Sequence, residues 1–551
     1  MSVFEHVDDY PEIPVSVAST RTALLTGAWR SVRPVLTERR APCTAGCPAG
    51  IGIPAYLADL TAGRLDAAFA AIARYNPFPR ITGRVCPHPC ETSCNLAATG
   101  EAPLSIRAVE RWLGDATAAL PHPAPPAPTG RSVAVVGAGP AGLSAAYYLR
   151  RSGHDVVVFE RHQAPGGLLR YGIPEYRLPA SIVDDEIDRL RRLGIGFRCG
   201  VALGHDLALD DLATRFSAVF VATGAWQPKS LDIVGSSLLE PGLAFLESFS
   251  RGEGVLPGER CAVIGGGNTA MDVARVLRKL GAEVTVLYRR TAAEMPAIRE
   301  EFEHALADGV RFEWLTMPRA LVKDGTELTV TVETTALGEP DGNGRRRPLP
   351  TGTTRELRFH AVFSATGEVA DVSMFPDSMK CGTGWLDVAC DGATTAPHVY
   401  AGGDLATGPA SVIDAIAAGR NAARAIDSDL GFSARWPAEA GGTIVTASEV
   451  NPTYVTRRQR SDEPPSRVAG AFAEDSATLE EAAMLAELER CFSCGHCNAC
   501  GTCFVFCPDG AIVWDDGPVI DLEFCKGCGI CVTECPGHAF VLVNEREVSH
   551  V

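Results

Sequence analysis

The pattern C-x2-C-x2-C-x3-C-P occurs twice near the end of this 551-residue chain. The first run is Cys497, Cys500, Cys503 and Cys507, and the second is Cys525, Cys528, Cys531 and Cys535. Thiolates at such spacing converge on soft metal centres. CxxC pairs also suit zinc, but a third cysteine in the same register and the closing Cys-Pro favour an iron–sulfur cubane. Of nineteen cysteines, five lie early (Cys43, Cys47, Cys86, Cys90 and Cys94) and ten lie in 491–535, where Cys491 and Cys494 precede the first run. A disulfide framework belongs to short secreted chains. This chain is long, and its N-terminus shows neither a basic nor an apolar leader region. Metal ligation in a reducing cytoplasmic compartment is therefore expected.

A second kind of chemistry is written in glycines. Gly137, Gly139 and Gly142 follow an apolar run at 133–136 and open a helical pattern. The first glycine permits a tight turn, the second lets pyrophosphate approach the backbone, and the third permits close helix–strand packing. The helix N-terminus offers unpaired N–H groups to phosphates. Glu160 ends the next strand, where a carboxylate can accept from ribose hydroxyls. The plain alternative is a βαβ turn that binds nothing. The second motif is Gly265, Gly267 and Ala270, and Arg289 and Arg290 stand where a ribose carboxylate would be. Guanidinium there suits the 2′-phosphate of NADP(H), with NAD(H) as the other candidate and a pair of solvated arginines as the plain one. Two such sites in one chain suggest a flavin and a nicotinamide stacked for hydride transfer.

The elements that must position these groups follow from pattern. Two strand–turn–helix–strand units of βαβ length predict two doubly wound α/β domains, 131–224 with 366–430 for one and 225–365 for the other. Residues 1–113 form a helical cysteine-bearing unit, and 114–130 a proline-rich linker. Residues 431–490 read as a linker and a helix, with Thr478 and Glu481 as its capping box. The tail is 491–551. The hydrophobic fraction of 46% allows sizeable cores. The net charge of −17 argues against nucleic acid and against anionic membrane surfaces as partners. No apolar run is long enough to span a bilayer.

Several of these segments, among them NPFPRITGRVCPHPCETSC, GAGPAG, GGLLRYGIPEYRLP, GGGNTAMD, YRR and AGGDLATGPASVIDAIAAGR, resemble a known family. It comprises the NADPH-dependent glutamate synthase small subunit, the flavin-containing N-terminal part of dihydropyrimidine dehydrogenase, and the NAD(P)-linked subunits of 2-oxoacid:acceptor oxidoreductases. The tail resembles a bacterial two-cluster ferredoxin. The resemblance implies two Rossmann-like domains, for FAD and NAD(P)H, with a helical Fe–S domain before them and a ferredoxin-like one after. It implies FAD on Gly137, Gly139 and Glu160, with Gly167, Leu168 and Arg177 around the ring and ribityl, closed by Gly403, Asp404 and Ser411. It implies NADPH on Gly267, Asn268 and Thr269, with Arg289 and Arg290 at the 2′-phosphate.

The same resemblance implies crossed ligation in the tail. One cluster takes Cys497, Cys500, Cys503 and Cys535, and the other takes Cys525, Cys528, Cys531 and Cys507. It implies a third [4Fe–4S] cluster on Cys47, Cys86 and Cys90, with Glu110 as fourth ligand or else as an exposed helix charge. A fourth cluster would use Cys43 and Cys94, but the CxxC pair that the family has upstream is replaced by VLTERRAP. Cys491 and Cys494 are left over by the ferredoxin runs, so we expect them to complete it; the alternative is four free thiols. Cys199, Cys261, Cys381 and Cys390 form no redox pair and are expected to pack in cores.

The expected function is an electron-transfer flavoprotein subunit passing electrons between NAD(P)H and a partner through FAD and four [4Fe–4S] clusters. The partner would be a ferredoxin or a catalytic oxidoreductase subunit, such as a 2-oxoacid:ferredoxin-type enzyme, in a hetero-oligomer. The tail carries eight acidic and two basic residues, which suits docking on a basic patch. A glutamate synthase-like NADPH dehydrogenase and a stand-alone small-molecule reductase are the alternatives.

Overall fold

The computed structural model describes residues 25–37, 39–342, 344–382, 384–432, 436, 442–455, 457–515 and 517–547. They form two compact units. One takes the described parts of 1–120, 436–464 and 477–551, and the other those of 121–435 and 465–476. Both cysteine-rich ends of the chain fall in the first unit, and both glycine motifs in the second.

The glycine-motif unit contains two five-stranded parallel sheets. The first has the order Val399–Ala401, Ala218–Val221, Ser132–Val136, Asp155–Glu160, Gly196–Cys199. The second has the order Arg311–Glu313, Glu283–Leu287, Arg260–Ile264, Ala361–Ser364, Glu240–Pro241. Parallel strands covered on both faces need unbroken apolar runs, and Ala218, Val219, Phe220 and Val221 are all buried. Each glycine motif follows the middle strand of its sheet. This is the expected pair of Rossmann-like α/β domains. An antiparallel meander, Thr316–Asp324, Glu327–Pro340 and Arg346–Phe359, is an addition that sequence analysis did not anticipate. Its Leu321, Val330 and Val332 share a core with Ala262, Ile264 and Val362 of the second sheet.

Residues 465–476, read from sequence as linker, join this same unit. The Asp475 N–H donates to the Tyr176 carbonyl over 2.9 Å, and Phe472 packs on Phe249 with ring centroids 5.0 Å apart.

In the cysteine-rich unit, strand Val32–Leu36 pairs antiparallel with Phe540–Asn544, so the first and last described strands share one ladder. Helices Pro79–Val85 and Ile106–Ala116 cross closely, and two glycines permit it. A Cβ on Gly83 would stand 2.5 Å from the Arg111 backbone, and one on Gly114 would stand 2.5 Å from the Arg80 nitrogen. Helix Glu481–Leu488 starts without the capping box expected at Thr478. The Thr478 hydroxyl donates instead to Asp115, a carboxylate that also accepts from Arg84. No described helix is long and apolar enough to cross a membrane.

Candidate functional site

The two glycine motifs build near-identical cradles. Gly137 has φ +101°, and a Cβ there would lie 2.2 Å from the Ala222 carbonyl oxygen. Gly265 has φ +147°, and its Cβ would lie 2.1 Å from the Ala365 carbonyl oxygen. Each of these carbonyls belongs to an Ala-Thr-Gly that follows the neighbouring strand, so the duplicated signal in the sequence is a duplicated backbone contact. A Cβ on Gly142 would meet the Gly137 oxygen at 1.9 Å, which excludes any side chain at that position in the first turn of helix Pro140–Arg151. Gly167 precedes helix Leu168–Tyr171 with φ +54°, and its Cβ would come within 2.6 Å of the Gly139 Cα. Around Gly267, by contrast, there is open space at the N-terminus of helix Asn268–Lys279. That combination, bare backbone N–H groups and no side chains, fits a pyrophosphate. Asn268 is fixed there, its Oδ1 accepting from the Ile298 N–H over 2.9 Å, and Thr269 follows it on the same first turn.

The flanking charges differ between the cradles. Glu160 is buried at the end of its strand and accepts from the Ala138 N–H (2.8 Å) and from the N–H and Nδ1 of His162 (both 2.9 Å). Burial works against its charge, yet these donors hold its carboxyl below the usual carboxylate range. It is thus a fixed anion with lone pairs left for hydroxyl donors. Beside the second cradle, burial and the neighbouring charges of Arg290 and Arg345 lower the Arg289 pKa. Arg345 lies just before the meander strand Arg346–Phe359, and sequence analysis did not pick it out. Two like charges acting on Arg289 describe a spot that an anion would relieve.

The remaining expected flavin residues divide. Gly403 has φ +65°, and its Cβ would lie 2.9 Å from that of Ala141. Asp404 accepts from the Ala410 N–H over 3.2 Å and is raised to about 6 by burial, with Asp414 adding to it. Glu368, which sequence analysis missed, is raised to about 7 by burial and by Asp404. Ser411 is the N-cap of helix Val412–Asp429, where its Oγ accepts from the Asp414 N–H. Arg177 is occupied elsewhere: its Nη1 lies 3.0 and 2.8 Å from the two Asp272 oxygens and its Nε lies 2.7 Å from Glu301. That buried network ties the segment after the first motif to the helix of the second.

The cysteines gather into four groups. Cys507, Cys525, Cys528 and Cys531 face one cavity, so the last cysteine of the first run joins the second run. Cys503 is raised by burial, then by Cys500, Cys497 and Cys535 of the complementary group, and after these by Cys531 of the first. Near the front of the chain, Cys47 is raised by burial, with Glu110 and Cys86 acting in the same direction, and Cys90 is affected likewise by Cys47, Cys86 and Glu110. Glu110 is not an exposed helix charge but 3% exposed. It accepts from Asn76 Nδ2 at 3.1 Å and from the Thr82 hydroxyl, and it lies 3.6 Å from His88 Nε2. The Tyr56 hydroxyl is buried among Glu110, Cys90, Cys43 and Cys47 with no hydrogen-bond partner. An orphaned donor amid soft ligands fits a group with sulfide acceptors.

The fourth group is Cys43, Cys94, Cys491 and Cys494, which line one cavity together. Burial raises the Cys43 thiol, and Cys491, Cys494 and Cys94 add to it. Among the described residues, no three His, Cys, Asp or Glu side chains close on a point as ligands of a single ion would; the cysteines surround cavities instead. Of the four isolated cysteines, Cys261 is fully buried, but Cys390 is exposed and fills no core, a correction to the expectation.

Comparison with known proteins adds a consistent set of matches. Residues 131–419 match the profile described as pyridine nucleotide-disulphide oxidoreductase. Residues 25–120 match dihydropyrimidine dehydrogenase domain II, 4Fe-4S cluster, and 518–541 match a 4Fe-4S binding domain. The chain is 37% identical to the NADP(+)-dependent formate dehydrogenase subunit beta of Moorella thermoacetica, over 71% of this chain and 60% of that one. It is 34% identical to the NADPH-Fe(3+) oxidoreductase subunit beta of Geobacter sulfurreducens, over 79% and 69%. It is 32% identical to the glutamate synthase [NADPH] small chain of Azospirillum brasilense, over 74% and 89%.

Proposed function

The chain belongs to the pyridine nucleotide-disulphide oxidoreductase family and carries 4Fe-4S domains at both ends, and from that premise we propose that it is the electron-transfer subunit of a larger NADP(H)-linked oxidoreductase. The observation that carries this reading is the presence, in one chain, of two dinucleotide cradles and four cysteine groups. When bound, a flavin exchanges a hydride for single electrons and the cubanes relay them.

The chain's own work is binding and orientation. Gly137, Gly139 and Gly142, with Gly167, Leu168, Gly403, Asp404 and Ser411, hold one FAD, and Glu160 accepts from its ribose. Gly265, Gly267, Asn268 and Thr269 receive the nicotinamide dinucleotide. Arg289 and Arg290, with Arg345, take its 2′-phosphate and favour NADP(H) over NAD(H). Arg177 positions the two cradles through Asp272 and Glu301 rather than touching the ring. Cys497, Cys500, Cys503 and Cys535 hold one cluster, Cys507, Cys525, Cys528 and Cys531 a second, and Cys47, Cys86, Cys90 and Glu110 a third. The domain limits are 131–224 with 366–430 for FAD and 225–365 for NADP(H).

The aligned part spans 60% and 69% of the formate dehydrogenase and NADPH-Fe(3+) oxidoreductase beta subunits. Their designation as subunits supports a catalytic partner in a hetero-oligomer, and the many clustered thiols suit a reducing, cytoplasmic compartment. The acidic tail supports a basic docking face on that partner. The test is anaerobic mixing with NADPH under argon. Bleaching of the bound flavin supports the reading; a chain that binds NADPH without bleaching, or holds no flavin, refutes it.

A further inference from the structure

We propose that Cys43, Cys94, Cys491 and Cys494 together hold one [4Fe–4S] cluster, a single metal site assembled from both ends of the chain. The proposal deepens the electron-transfer reading and takes its purpose from it, but its evidence is separate.

The first observation is convergence. The four sulfurs face one cavity whose other walls include Ile53, Leu57, Leu96 and Ile106. Four sulfurs gathered among apolar walls are a donor set that suits a soft centre. The second is the pattern of donors. Asn95 Nδ2 lies 3.4 Å from Cys494 Sγ, and the Ser493 N–H donates to Cys491 Sγ over 3.3 Å. The same N–H to sulfur contact recurs at Cys86, Cys507 and Cys535 in the other three groups. Such donors stabilise and tune cluster sulfurs.

The third observation is that buried protein contacts flank and position the pair from the tail. Glu487 and Arg490 are buried immediately before Cys491. Glu487 accepts from the backbone N–H groups of Ser105 (2.7 Å) and Ser461 (2.8 Å). Arg490 donates to Glu487 and to the carbonyls of Ala102 and Pro103. On the far side of the pair, the Arg39 N–H donates to the Gly495 carbonyl over 3.1 Å. Gly495 has φ +70°, and a Cβ there would stand 2.4 Å from the Arg39 oxygen. The segment leading to Cys43 and the one leaving Cys494 are therefore locked together. The family's local CxxC is missing from VLTERRAP, and the tail supplies a replacement.

Ligation releases the four thiol protons to solvent and needs only assembled iron and sulfide. The site cannot close until residue 494 has been synthesised and has folded back.

The test is iron, sulfide and zinc content of the reconstituted full chain, with EPR after dithionite reduction. Three variants are compared: Cys43→Ser/Cys94→Ser, Cys491→Ser/Cys494→Ser, and all four together. Each double variant should lose about four irons, the content of one cubane, and the quadruple variant no more than either. Additive losses, loss from one pair only, or loss of zinc in place of iron would overturn the proposal. Because these variants can be unstable, Asn95→Leu is the second arm. It should keep all the iron and lower the midpoint potential of one cluster only. Unchanged potentials for every cluster would count against the site. None of these readouts uses NADPH, so they stand whether or not the flavin reaction does.

Discussion

The side-chain amide of Asn95 lies 3.4 Å from the sulfur of Cys494, a residue 399 positions further along the chain. Asn95 directly follows Cys94, so the contact ties a cysteine of the first cluster segment to one at the start of the tail. The same amide donates to the Val445 carbonyl over 3.1 Å. One side chain thus joins three stretches that are far apart in sequence.

Coenzyme selection should rest on the arginine group. Hydrogen bonds to charged groups are worth about 1.5–3 kcal/mol. Arg289→Glu should therefore raise the KM for NADPH by about tenfold or more, while the KM for NADH stays within a few-fold. Steady-state kinetics with both coenzymes measures this, and equal effects on both would show that Arg289 does not read the phosphate.

One FAD should bind per chain, because only the first cradle has a carboxylate in Glu160's place. Gly142→Val should abolish FAD retention, since even a Cβ would lie 1.9 Å from the Gly137 oxygen. Iron content should be unchanged, because every cluster ligand belongs to the other compact unit. Release and quantification of flavin against iron checks both; two flavins per chain, or FMN, contradicts the assignment.

Arg177→Leu should destabilise the nucleotide-binding unit by about 3–5 kcal/mol, the usual cost of leaving a buried charge unpaired. Asp272 and Glu301 would lose their shared cation. Denaturant unfolding followed by flavin fluorescence reports the loss. A variant of unchanged stability with altered flavin absorbance would return Arg177 to the flavin ring.

The linker histidine should make the same unit acid-sensitive. His122 packs on Tyr147 with ring centroids 4.8 Å apart, and burial, with the charges of Arg189, Arg151 and Arg192, lowers its pKa to about 3. An unfolded histidine titrates near ~6.5, so between these values the unfolded chain binds more protons and stability falls as pH falls. The unit should be about 2 kcal/mol less stable at pH 5 than at pH 7.5 from this group alone. His122→Gln should flatten that slope; an unchanged slope would remove His122 as its source.

What could be read from the chain was whatever local spacing encodes. Gly137, Gly139 and Gly142 lie within six residues, and a strand–turn–helix cannot be built around them in many ways. The ferredoxin runs are equally local. Grouping of Cys491 and Cys494 with Cys43 and Cys94 was reachable only by counting ligands, since nothing local links them. Contacts between distant positions left no signal. Arg177 meets Asp272 across 95 residues, and Arg345 acts on Arg289 from the turn of the meander that leads into its largely exposed strand Arg346–Phe359. Thr478 had the sequence of a helix cap but gave its hydroxyl to Asp115, a half-buried carboxylate that the sequence places 363 residues away.

The most direct test of the whole account is an anaerobic titration of the reconstituted full chain with NADPH, following flavin absorbance and cluster EPR in the same samples. The account predicts that the flavin bleaches and that reduced-cluster signals grow with further NADPH, until the added electrons are distributed over flavin and clusters by potential. Complete flavin reduction with every cluster left oxidised, when a redox titration of the same chain places the cluster midpoints above the NADPH couple, would contradict it.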